Sequence, residues 1–346
     1  MQKQLLPPPN SLPQLSESKV VANRSLRRTA SSPGQTLHFN GGFHPWLFGI
    51  LQKLEIFLSQ PLGFSLQLLS LFQYLMLRSH FFLFANSELN CYLSIFCFRV
   101  DWRTVMLDMR NHGKSTEREL NPPHNMENAA KDLVDLVKAE GWSWPEVVIG
   151  HSMGGKVALQ FAESCSRGDY GHSALLPKQL WVLDSVPGEV NQENSNDEVR
   201  NVLATLQSLP SQFSSRKWLV GHLMGLGYPK ALSDWIGTNL KKVGDHETWI
   251  FDIQNAKEMF DSYCEKSYWN LLENPPKGME IVIVRAEKSD RWDEDAIDRI
   301  QKLASQGGSD SPGKASFFVL PNAGHWVHVD NPKGLLEIVA SKIASL

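Results

Sequence analysis

The chain has 346 residues, 42% of them apolar, and a formal net charge of -3 at pH 7. That length and apolar share suffice for a full hydrophobic core, and the balanced charge, without a basic run interleaved with aromatics, excludes a nucleic-acid footprint. Cys91, Cys97, Cys165 and Cys264 show no C-x-x-C spacing, which argues against a zinc site or disulfide framework and fits a reducing compartment.

Residues 1–34 are rich in Pro, Ser and Gln and carry Arg24, Arg27 and Arg28 against the single acid Glu17. This composition reads as a disordered tail or a transit peptide. The expectation is an organelle, chloroplast or mitochondrion, if the tail is a targeting signal, and the cytoplasm otherwise. Residues 41–98 differ from the rest: they contain no Val, Thr or Asp, and Lys53, Glu55, Arg78 and Glu88 are their only charges. The uncharged run from Ile56 to Leu77 is long enough to span a bilayer, but Gln60, Pro61, Gln67 and Gln73 interrupt it, so membrane association is not favoured.

From residue 101 onward the pattern is regular. Thr104-Val105-Met106-Leu107 reads as a strand and Asp108 to Ser115 as a turn containing Asn and Gly. Met126, Ala130, Leu133 and Val137 recur at helical steps, with charges on the other faces. The β-branched run Val147-Val148-Ile149 then passes through Gly150-His151-Ser152-Met153-Gly154-Gly155 into a helix ending near Ser164. Ser152 stands on that corner in G-x-S-x-G spacing, which suits a nucleophile held in a strained strand-to-helix turn. The amide of Met153, at the start of the helix, is placed to receive a developing oxyanion.

Leu180 to Asp184 is a further strand. Residues 186–276 read as helical pieces broken at Pro187, Pro210, Gly221, Gly227, Pro229, Gly244 and Pro275, a helical cap inserted into the alternation. The alternation resumes with the strand Ile281 to Val284, a helix from Asp295 to Ala304, the strand Ser316 to Leu320 and a helix from Gly334 to Ile343. Short apolar strands alternating with helices imply an α/β fold with a mostly parallel sheet covered on both faces. The core is expected at 101–185 and 277–346, with an atypical Leu/Phe-rich segment at 35–100.

A serine hydroxyl needs a base. His325, in Pro321-Asn322-Ala323-Gly324-His325-Trp326, follows the last strand, where side chains converge at the carboxyl edge of such sheets. His328 is its competitor, while His112 and His151 read as turn or supporting residues. A carboxylate must orient the imidazole, and two aspartates lie at strand ends between Ser152 and His325. Asp290 is favoured, Asp184 is the alternative acid, and Asp293 is a remoter choice. Asp293-Glu294-Asp295 opens a helix and has no His or Cys beside it, so no metal and no cofactor is expected.

The segments Asp108 to Ser115, Gly150 to Lys156 and Asn322 to His328 together resemble the α/β-hydrolase superfamily. Within it they look most like the branch of alpha/beta-hydrolase domain-containing protein 11 and the YbfF-type esterases. The resemblance implies a serine esterase or thioesterase that acts on small acyl esters or thioesters without a cofactor, with Ser152 and His325 carried over. It also implies a strand ending in His-Gly before the Asp108 strand, whose loop gives the second oxyanion donor. No His-Gly pair occurs in residues 35–100, so the N-terminal strands are expected to be atypical or missing. The alternative is then an impaired isoform or a binding module lacking that donor.

Overall fold

Runs of Val, Ile, Leu and Trp that are buried along their length form the centre of the molecule, because strands covered on both faces need apolar side chains at every position. A computed structural model describes residues 80–84, 102–190, 198–306, 313–343 and 346, all within one compact unit, Phe64–Leu346. Among the described residues six strands form its main sheet: β1 (His80–Phe84), β2 (Trp102–Met106), β3 (Val147–His151), β4 (Gln179–Leu183), β8 (Glu280–Ala286) and β9 (Lys314–Leu320). Their spatial order is β2-β1-β3-β4-β8-β9, and every pairing is parallel.

Alternate residues of these strands enter two separate apolar clusters. Val148, Leu180, Val182, Ile281 and Ile283 face one cluster, shared with α1 (Met126–Ala139), α2 (Met153–Arg167) and α8 (Glu294–Ser305). Val147, Ile149, Trp181, Leu183, Val282 and Val284 face the other, shared with α9 (Val327–Asp330) and α10 (Pro332–Ile343). The two-residue period of a strand thus makes a three-layer α/β fold. The helix termini follow local chemistry: Asn125 caps α1 by accepting from the Asn128 amide, and Asp293 caps α8 by accepting from the Ala296 amide.

Of the N-terminal strands expected to be atypical or missing, one is present and atypical: β1 lies between β2 and β3, with Phe84 opposite Met106 and Ile149. Composition concealed it because His80-Phe81-Phe82-Leu83-Phe84 lacks the β-branched signature of the other strands. Residues 1–34 and the run Ile56 to Leu77 lie outside the described residues. Among the described residues no helix is long and apolar enough to cross a membrane.

The insertion between β4 and β8 is not wholly helical. Beside α3 (Glu198–Ser208), α4 (Arg216–Gly225), α5 (Lys230–Gly237), α6 (Ile253–Glu265) and α7 (Trp269–Glu273), it holds an antiparallel sheet of β5 (Gln212–Phe213), β6 (Leu240–Val243) and β7 (His246–Trp249). Gly244, taken from sequence as a helix breaker, begins the two-residue loop of the β6-β7 hairpin with φ +61°, a backbone region open to glycine at little cost. Leu206, Phe213, Leu219, Leu223, Ile236, Leu240 and Trp249 give this lobe its own core.

Candidate active site

Strands β3 and β4 run in register, with His151 opposite Leu183, so the residues that follow them leave the sheet at the same level. Ser152 turns the chain from β3 into α2 with φ 53° and ψ -121°, a conformation a residue with a Cβ adopts only when its surroundings enforce it. Its amide donates to the Leu183 carbonyl at 3.0 Å, and its carbonyl accepts from the Gly155 amide at 2.9 Å. The flanking glycines have steric causes: a Cβ on Gly150 would lie 2.0 Å from the Gly154 carbonyl oxygen, and one on Gly155 would lie 2.9 Å from Ser185 Cβ. Met153 is the first residue of α2, so its amide is among those without an acceptor inside the helix.

His325 arrives from the other end of the sheet, in the loop after β9. Asn322 takes φ +58° there, the Gly324 amide donates to Asp330 Oδ2 at 2.8 Å, and the Lys288 amide donates to the Ala323 carbonyl at 2.9 Å. So held, His325 Nε2 stands 3.1 Å from Ser152 Oγ, and its Nδ1 stands 2.8 Å from Asp184 Oδ2. A carboxylate only accepts, so Nδ1 carries the proton and Nε2 is free to accept from the serine hydroxyl.

The structure therefore brings Ser152, His325 and Asp184 into one hydrogen-bonded chain and leaves Asp290 out of it. Asp290 is exposed. The loop after β8 gives donors to Asp184 rather than an acid of its own: the Ala286 amide at 3.0 Å, Ser289 Oγ at 2.8 Å and Trp292 Nε1 at 3.0 Å. Ser289 turns inward to Asp184, and the next residue faces solvent. Burial opposes ionisation of the fully buried Asp184, but the hydrogen bonds from His325, the Ala286 amide and Ser289 outweigh it and hold the carboxyl below its usual value. Asp293 is occupied as the cap of α8.

The other histidines have supporting positions. His151 Nε2 donates to the His325 carbonyl at 2.7 Å, and burial drives its pKa down to about 3. That ring is neutral and braces the backbone of the neighbouring histidine. His328 lies on α9 with its ring centroid 5.3 Å from that of His151, and burial lowers it to about 4. His112 Nδ1 bonds the Arg110 carbonyl within its own turn.

Several residues escaped sequence reasoning. Asn111 Nδ2 donates to the Asp252 carbonyl at 2.7 Å and its Oδ1 accepts from the Asp252 amide at 2.8 Å, pinning the turn after β2 to the start of α6. Nothing local marks that contact, 141 residues apart. Ser289 and Trp292 were equally hidden. Lys156 did leave a signal, a lone charge among Gly154, Gly155, Val157, Ala158 and Leu159, all buried. Trp326, beside His325, meets Trp235 of α5 edge to face at 6.3 Å, so the insertion reaches the neighbourhood of the imidazole. Cys165 and Cys264 are buried thiols.

A parallel sheet between helical layers, with a serine on a strained strand-to-helix corner and a histidine after the last strand, defines an α/β-hydrolase. The chain belongs to the Alpha/beta hydrolase family, whose sequence profile matches residues 79–338, beginning one residue before β1. It is 25% identical over 251 residues to the sn-1-specific diacylglycerol lipase ABHD11 of Mus musculus, covering 71% of this chain and 73% of the relative. It is also 25% identical over 288 residues to protein phosphatase methylesterase 1 of Bos taurus, covering 70% of each. Among solved structures, a marine microorganism esterase superposes with a TM-score of 0.59 at 20% identity, covering 77% of this chain and 96% of that one. The family match and the two relatives support hydrolase activity, and the solved structure shows the shared fold.

Proposed function

We propose that the protein is a serine hydrolase that cleaves acyl esters or thioesters through Ser152, His325 and Asp184 and a covalent acyl-enzyme. The observation that carries this reading is the unbroken chain from Ser152 Oγ through His325 to Asp184. Ser152 attacks the acyl carbonyl while His325 Nε2 takes its proton, and Asp184 stabilises the resulting imidazolium. The oxyanion forms beside the Met153 amide at the positive end of α2. Collapse expels the alcohol or thiol, which receives the proton from His325. Water activated by the same imidazole then releases the acid.

The surroundings favour an apolar acyl group. Trp326 and Trp235 expose 41% and 47% of their surface where the insertion approaches His325, and together they form an apolar rim suited to alkyl chains. The insertion then acts as a cap that shapes the pocket.

One observation favours an impaired enzyme as a second reading: Phe84 of β1 is followed by Ala85-Asn86 instead of His-Gly. Loss of one oxyanion donor costs about 10² to 10³ in turnover. A fluorophosphonate probe distinguishes the two, since attack on phosphorus requires the activated serine. Wild-type protein is expected to label within minutes and Ser152→Ala not at all. Folded wild-type protein that binds an acyl ligand without labelling would overturn the hydrolase reading.

A further inference from the structure

The Lys156 side chain is fully buried although it lies on α2 only one helical turn beyond Ser152. Its ammonium donates to three backbone carbonyls: Gly188 at 2.7 Å, Tyr263 at 2.5 Å and Lys266 at 2.8 Å. It also stands 4.5 Å from the centroid of the Tyr263 ring. All three carbonyls belong to the root of the insertion. Gly188 is on the strand of chain that leaves β4 to enter it, and Tyr263 and Lys266 are at the end of α6, where the chain returns.

These two stems are already joined by backbone bonds, Tyr268 amide to Pro187 carbonyl and Val190 amide to Cys264 carbonyl, each at 2.9 Å. The Tyr263 carbonyl lies in the last turn of α6, where carbonyls have no partner within the helix and the dipole favours a cation. Burial alone would discharge the amine and pushes its pKa down to about 7. Three acceptors around one nitrogen match the three N–H groups of the charged form, whereas a neutral amine has two.

We propose that Lys156 is a positioning residue that clamps both stems of the insertion to the nucleophile helix and so sets the shape of the acyl pocket beside Ser152. The kinetic part rests on the hydrolase reading; the clamp itself does not. Lys156 touches no reacting atom. It acts through the insertion, which meets the site where Trp235 faces Trp326. Removing the ammonium leaves three carbonyls without their donor, those of Gly188 and Tyr263 in buried contacts and that of Lys266 partly buried, and the least costly relief is for the stems to part and admit water.

The test compares the full chain with Lys156→Met, which keeps the length of the side chain but has no donor. Amide hydrogen exchange is expected to quicken about ten-fold or more across residues 188–190 and 263–268 while β3 and β4 keep their wild-type rates. With p-nitrophenyl esters, KM for the decanoate should rise about ten-fold, while kcat for the acetate stays within about two-fold of wild type. Should Lys156→Met fail to fold, Lys156→Gln, with two amide N–H groups, takes the same measurements, with smaller changes in the same direction. Unchanged exchange in both stems, or exchange that rises equally through β3 and β4, overturns the clamp. Parallel losses in kcat for both esters overturn the pocket-shaping role. A wild-type chain that neither labels with fluorophosphonate nor turns over either ester defeats the hydrolase reading instead, and the exchange result still decides the clamp.

Discussion

The ends of β3 and β4 lie side by side, and each is followed by a residue with positive φ, Ser152 at 53° and Asp184 at 44°. The two are supported in different ways. Around Ser152 the strain is accommodated by near neighbours in the chain, because Gly150 and Gly155 give up their side chains so that β3 can turn sharply into α2. Around Asp184 it is accommodated by donors from more than 100 residues away, Ala286, Ser289, Trp292 and His325. In the proposed mechanism this difference has a reason: a nucleophile must be held outward by its own turn, whereas an orienting acid can be held by whatever converges on it.

The sharpest way to break this comparison is at the acid. Asp184→Asn is expected to lower kcat by about 10³ to 10⁴, since the amide cannot stabilise the imidazolium and favours the wrong tautomer. Asp290→Asn should leave kcat within about two-fold of wild type. Steady-state kinetics on the same ester decides between them, and the reverse ranking would remove Asp184 from the mechanism.

Next in size is the local support of the serine. In Gly150→Ala the new Cβ meets the Gly154 carbonyl oxygen at 2.0 Å, a clash with backbone that no rotamer relieves. Urea unfolding should show a loss of about 3 kcal/mol or more, together with loss of fluorophosphonate labelling.

The smallest effect tests the distant support of the acid. Ser289→Ala removes one of the hydrogen bonds to the Asp184 carboxylate and should cost about 1 to 2 kcal/mol. Because the folded carboxyl lies below its ordinary value of 3.8, the unfolded chain protonates first as pH falls. The stability contributed by Asp184 is therefore present above that value and is lost as pH drops through the lowered one. Ser289→Ala should move this acid limb of the stability curve to higher pH, and a limb that stays in place would show that Ser289 does not tune the carboxyl.

The sequence alone determined much of this protein. Strands β3, β4, β8 and β9 were legible because burial on both faces demands apolar runs, and α1 was legible because one covered face imposes a helical period. The corner position of Ser152 and the loop position of His325 were legible because a strained turn and a loop behind a strand impose local glycine patterns. Strand β1 was concealed because its Phe-rich residues matched the Leu/Phe bias around them, and the β6-β7 hairpin because Gly244 was read as a break between helices. Only the tertiary structure set Asp184 rather than Asp290 against His325, since either follows a strand and satisfies the chain order, and the difference depends on which carboxylate the far loop turns its donors toward. It alone placed Asn111 and Lys156 against the insertion. Long-range hydrogen bonds require a partner at the right place in space, and that requirement leaves little periodicity or spacing in the chain itself.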